Sequence, residues 1–125
     1  MDPDPPPPDA VTIERHGEIT LIVGSSALET MDPGLIEQAA RILLEPIRQQ
    51  DHPLVVIDLG QVDFFGSSFL ALLLRCWKRV QDRGGLMVLS GVSERARELL
   101  RITSLDIIWP IYAGRREAIE ALQAD

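Results

Sequence analysis

Cysteine is nearly missing from this chain. Cys76 stands alone in 125 residues, so no internal disulfide can form and a reducing compartment suits the chain. It lies among apolar residues of a predicted helix, where a buried thiol is expected. Histidine is scarce as well: His16 and His52 are far apart. Neither has a cysteine or carboxylate cluster beside it, so no metal site is expected. No run of 18 apolar residues exists, which excludes an apolar membrane-spanning helix. The N-terminus has no basic segment leading into an apolar one, so no signal peptide is expected and a cytoplasmic location is. Twelve Lys and Arg face nineteen Asp and Glu, a formal charge of −7. That balance speaks against nucleic-acid binding, which depends on basic surface. Neither Gly-x-x-x-x-Gly-Lys nor Gly-x-Gly-x-x-Gly occurs, so no nucleotide cofactor is expected.

What is present is an ordinary globular composition, 46% hydrophobic. The length predicts one domain, burying about two-thirds of the surface its unfolded chain exposes. Residues 1–10, MDPDPPPPDA, hold five prolines and three aspartates. They read as a disordered tail leaning to polyproline II, which leaves 11–123 as the domain.

Val11 to Arg15 and Glu18 to Val23 are rich in β-branched residues around His16-Gly17, the pattern of a hairpin. Gly24 to Gly34 reads as a loop. A helix is predicted from about Leu35, and Pro46 is expected to end or kink it. Leu54 to Leu59 is a continuous apolar run, as in a strand covered on both faces. A helix follows over about Ser68 to Arg83, stopped by Gly84-Gly85. Leu86 to Leu89 is a second buried strand, and Ser93 opens another helix. Ile107 to Trp109 is expected to form a short last strand, halted by Pro110. Arg115 to Gln123 forms the final helix. The order implies an α/β fold with a mixed sheet of about five strands. An N-terminal antiparallel hairpin adds to parallel strands, and four helices flank the sheet.

The chemistry concentrates at Phe64-Phe65-Gly66-Ser67-Ser68-Phe69-Leu70. Here a strand-turn unit feeds an apolar helix that starts with two serines. Ser67 is the N-cap or the first helical residue. A helix start presents unpaired N–H groups and partial positive charge, so a hydroxyl there can cap, and a phosphate there meets ready donors. Stepping ~100° per residue, Phe69, Leu70, Leu72, Leu73, Leu74, Cys76, Trp77 and Val80 cover an arc wider than a helix on a sheet needs. The excess, near Phe69 and Leu72, is a candidate docking surface; deeper burial is the alternative. Arg75, Lys78, Arg79 and Arg83 occupy the other side, as a solvated face or a stripe for an acidic partner. Asp58 and Asp63 flank a strand end and have no basic partner nearby in sequence. A nucleophile elbow is excluded at Ser68, since Leu70 stands where its second glycine belongs.

The series Val55-Val56-Ile57-Asp58-Leu59, Val62-Asp63-Phe64-Phe65-Gly66-Ser67-Ser68 and Leu86-Met87-Val88-Leu89 resembles the STAS domain. This is the domain of anti-sigma factor antagonists and sulphate-transporter tails. Leu100 to Asp106, Trp109 to Tyr112 and the Glu117-Ala118 helix continue the likeness, which spans about 11–123. The resemblance implies a non-catalytic, cytoplasmic partner-switching protein. It would bind a serine kinase that doubles as an anti-sigma factor, and phosphorylation would release that partner. Ser67 aligns with the family's phosphoacceptor and Ser68 with the next hydroxyl. Gly66 stands where antagonists carry aspartate, and Phe69 where they carry glycine. The loop Gly24 to Glu29 ends in glutamate where the family often has aspartate. Gly66, Ser67, Ser68, Phe69, Leu72 and Glu29 are therefore the candidate partner-binding residues.

Two other readings compete. A constitutive binding module without phospho-control would use Phe69 as an anchor. A receiver-like domain would phosphorylate Asp58, but no acidic pair follows the first strand and the single lysine, Lys78, sits mid-helix. An enzyme is the least expected class, because no base, metal set or cofactor loop accompanies the serines.

Overall fold

The computed structural model describes residues 11–30 and 32–124; the proline-rich tail expected over 1–10 lies outside them. Five strands run in the sheet order β1-β2-β3-β4-β5. β1 (Val11–His16) and β2 (Ile19–Gly24) form the antiparallel hairpin, with Val11 opposite Gly24 and His16 opposite Ile19. Gly17 takes the left-handed φ of 65° that the tight turn demands. β3 (Leu54–Asp58), β4 (Leu86–Ser90) and β5 (Ile111–Tyr112) then add in parallel. Parallel neighbours need crossovers, supplied here by α1 (Pro33–Arg48), α2 (Ser67–Asp82) and α3 (Glu94–Ile102). α4 (Arg115–Gln123) closes the chain.

The two faces of the sheet are covered unequally. Ile22, Val55, Ile57, Met87 and Leu89 point into the main core beneath α1, α2 and α3. The alternate residues Leu21, Val23, Val56 and Val88 meet Ala118 of α4 on the opposite face. The period of two along a strand makes this division, and cover on both sides explains why the β3 and β4 runs are apolar without alternation.

Three local expectations are corrected. Pro46 does not end α1, which runs on to Arg48. The N–H that proline lacks would have bonded the carbonyl of Ile42, a residue on the exposed face. Leu43, Leu44 and Ile47 are buried on the other side and hold the last turn in place. Gln50 Nε2 also donates to the Pro46 carbonyl at 2.9 Å. The second correction concerns Ile107 to Trp109, which is not a strand. Leu105–Ile107 is a 3₁₀ turn entered through Ser104 at φ 62°. Trp109 is a fully buried plug, and its backbone N–H donates to the Leu105 carbonyl at 3.1 Å. Proline cannot donate to a ladder, so β5 starts only after Pro110, at Ile111. The third lies in the Gly24 to Gly34 loop, where Ser26–Glu29 forms a 3₁₀ turn capped by Ser25.

Candidate functional site

The site forms where β3 hands over to α2, at the carboxyl end of the parallel strands. After β3 the chain turns through Leu59 and Val62, both buried. Asp63 and Phe64 come out into solvent, Phe65 goes back into the core, and α2 begins. Gly66 is the N-cap: its carbonyl accepts the first intrahelical bond, from the Leu70 N–H at 3.1 Å. Ser67 is thus the first helical residue and not the cap. Glycine carries no capping atom, and no side chain caps this helix. The N–H groups of Ser67, Ser68 and Phe69 precede the first intrahelical donor and stay available.

Ser67 is exposed and Ser68 half-buried. Ser67 stands on a ridge between two grooves. The larger, about 850 Å³, lies between the start of α2 and α3, with Phe64, Phe65, Leu70, Leu99 and Ile102 along it and Glu94, Arg95 and Glu98 at its rim. The smaller, about 200 Å³, runs past Leu28, Glu29, Ile36 and Ser68.

Of the two readings of the wide apolar arc, an exposed docking surface near Phe69 and Leu72 or deeper burial, the structure shows burial, so these two candidate partner-binding residues are not at the surface. Phe69 is 3% exposed and Leu72 1%. The extra width of the apolar arc is taken up by α1 on one side of α2 and by Phe65 near its start. Phe69 packs edge to face on Phe65, with ring centroids 5.2 Å apart. Beside Ser67, the large apolar side chains that do reach solvent are Phe64, 45% exposed, and Ile102, 69% exposed. They line the larger groove together.

The charged groups are arranged by tertiary contacts. Glu29 accepts a 3.3 Å hydrogen bond from the Asp63 N–H, which ties the loop after β2 to the loop after β3. Asp63 pairs with Arg95 at 3.2 Å, and the Arg95 guanidinium lies 5.1 Å from the centre of the Phe64 ring. Ser93 Oγ donates to the Asp63 carbonyl at 2.6 Å while it caps α3 by accepting from the Ala96 N–H. Glu98 accepts from Arg101, and this hydrogen bond holds its carboxyl below the usual range. Asp63 is 32 residues from Arg95, so no local pattern could have revealed the pair.

Asp58 is 5% exposed and fully engaged. One oxygen accepts from the Gly60 N–H and the other from Arg115 Nε, both at 2.7 Å. Its partner, missing from the nearby sequence, arrives from the first turn of α4. On the outer face of α2, Arg75 pairs with Glu37 of α1 at 2.8 Å, and Arg83 donates to the Gln50 carbonyl and to Asp51. Two of the four cations there therefore tie elements of the fold together. Among the described residues no group of His, Cys, Asp and Glu could hold a metal ion, and no helix is long and apolar enough to cross a membrane.

Comparison with known proteins agrees with this architecture. A family model described as the STAS domain matches residues 10–118. A Paenibacillus polymyxa protein described as an anti-sigma F factor antagonist is 25% identical over 113 residues, covering 90% of this chain and 94% of its own length. A solved STAS domain protein from Planctomyces limnophilus, described as an anti-sigma-factor antagonist, is 32% identical and superposes with a TM-score of 0.83. It covers 91% of this chain and 98% of that one. The phosphorylated form of the Bacillus cell fate determinant SpoIIAA shares the fold at 21% identity, with a TM-score of 0.70 over 90% of this chain and 98% of its own.

Proposed function

This chain belongs to the STAS domain family, and we propose that it acts there as a non-catalytic, anti-sigma factor antagonist-like regulator. It binds a serine kinase of the anti-sigma type, and phosphorylation of Ser67 switches that binding off. The observation that carries this reading is the position of Ser67. Ser67 is exposed, at the uncapped start of a helix, where it borders two grooves. A kinase can reach it, and a partner seated across the ridge would have to cover it. A phosphate of roughly −1.5 to −2 charges at that point meets helix-end donors in the free protein. In a complex the same phosphate would be desolvated against the partner's surface, which costs affinity. The Bacillus determinant SpoIIAA, which shares this fold and has a phosphorylated form, supports the chemistry.

The partner-contacting set on this reading is Gly66, Ser67, Ser68 and Glu29, joined by Phe64, Leu70, Leu99 and Ile102 of the larger groove. Phe69 and Leu72 leave the set because they are buried. The constitutive-module alternative loses its anchor for the same reason and retains only Gly66 as motivation. The receiver-like alternative has little to recommend it, since both oxygens of Asp58 are already engaged.

Incubation with the cognate kinase and ATP is expected to add the mass of one phosphate, and Ser67→Ala is expected to abolish the gain. The modified chain is expected to lose at least tenfold in affinity for the kinase. A kinase complex in which the wild-type chain never gains the mass would end the switch reading.

A further inference from the structure

We propose that Arg95 reads the state of Ser67: a phosphate there draws the Arg95 guanidinium away from Asp63 and the Phe64 ring and pairs with it. This rests on the reading of Ser67 as a phosphoacceptor and names how the same site would respond. The charged residues lining the two grooves beside Ser67 are Glu29 from the loop after β2, and Glu94, Arg95 and Glu98 from α3. Asp63 stands beside them as the present partner of Arg95. Arg95 is the cation of this group. Glu98 is occupied by Arg101, and Glu94 and Glu29 repel an added anion. A phosphate on Ser67 therefore enters an acidic collar with one guanidinium along the same groove.

The present contacts of Arg95 are weak enough to give way. The Asp63 pair is open to water, with side chains 66% and 60% exposed, and such pairs add little. The stacking on Phe64 is likewise at the surface. Against them stands a group of nearly two charges with three acceptor oxygens. At equal distance and screening it attracts a cation about twice as strongly as a carboxylate does. Its oxygens also match the planar guanidinium fork. Moving Arg95 uncovers one side of Phe64 and frees Asp63. The rim of the larger groove then changes its apolar and acidic surface together, beyond the charge of the phosphate itself.

The test uses the full chain with phosphoserine installed at position 67 during translation, so that no kinase is needed. The phosphorus-31 signal is followed through its titration, and the Phe64 ring protons are followed by NMR. The phosphate of the wild-type background should titrate roughly 0.5–1 pH unit below that of Arg95→Gln. Arg95→Lys, which keeps the charge without the fork, should fall between them. The Phe64 ring signals should shift clearly more on phosphorylation in the wild type than in Arg95→Gln. Equal phosphate midpoints in folded wild type and Arg95→Gln would overturn the assignment while leaving a Ser67 switch intact. A kinase that ignores Ser67 would sink the switch and leave this measurement standing.

Discussion

Phe65 and Phe69 meet edge to face, their ring centroids 5.2 Å apart and their planes inclined by 68°. One ring ends the loop after β3 and the other opens α2, so the pair clamps the turn that presents Ser67. The geometry is a favourable one for aromatic rings. It also explains how a phenylalanine is accepted where the antagonist pattern has glycine: the ring turns inward and becomes part of the core.

Phe69 is therefore expected to matter for stability. Phe69→Ala should lower the unfolding free energy by about 3–5 kcal/mol, as for other buried rings, measured by urea or guanidinium denaturation. A loss below about 1 kcal/mol would mean that the ring is not packed as described.

Gly66→Asp is expected to stabilise the protein. The backbone there is extended, at φ −96° and ψ −172°, and an added Cβ meets nothing within 4 Å. An aspartate can cap the free N–H groups of α2 and place negative charge at the positive end of the helix. Together these should contribute about 0.5–1 kcal/mol, read as a higher denaturant midpoint with an unchanged slope. An unchanged or lower midpoint would show that the first turn of α2 is already satisfied.

Cys76 should be inert in the folded protein. Burial pushes its thiol up to about 12, with nearby Arg75 opposing weakly. A thiol reagent at pH 8 is expected to label it only on unfolding. The same shift carries a sign for stability. The unfolded thiol ionises near its ordinary value of 9.0 and the folded one near 12. Above pH 9 the unfolded state therefore holds fewer protons, and stability should fall by up to ~1.4 kcal/mol per pH unit until about pH 12. The Cys76→Ala variant should lack this component of the alkaline slope, at the cost of a small cavity. Equal slopes would mean that the thiol is reachable by water.

The legibility of the fold varied along the chain for identifiable reasons. The hairpin, β3 and β4 were readable because strand period and β-branched runs are local properties, and Gly17 marked its own turn. The start of α2 was readable for the same reason. Pro46 misled because its missing hydrogen bond falls on the exposed side of α1, while buried Leu43, Leu44 and Ile47 keep the helix going. Ile107 to Trp109 misled because an apolar triplet looks alike as a strand and as a 3₁₀ turn leading into one buried ring, here Trp109. Ser104 in the left-handed region decides between them.

At the site itself, local pattern was enough to place two hydroxyls at a helix start within an apolar stretch. It also carried the family resemblance. Packing between elements set the rest: Phe69 and Leu72 turn inward while Phe64 and Ile102 face water. The same holds for Arg95 with Asp63 and for Arg115 with Asp58, each joined across a long stretch of chain. Helix starts and strand runs follow from short-range sterics and periodicity. Exposure and ion pairing depend on which neighbouring element covers each face, and that is settled only when the sheet and its helices close on one another.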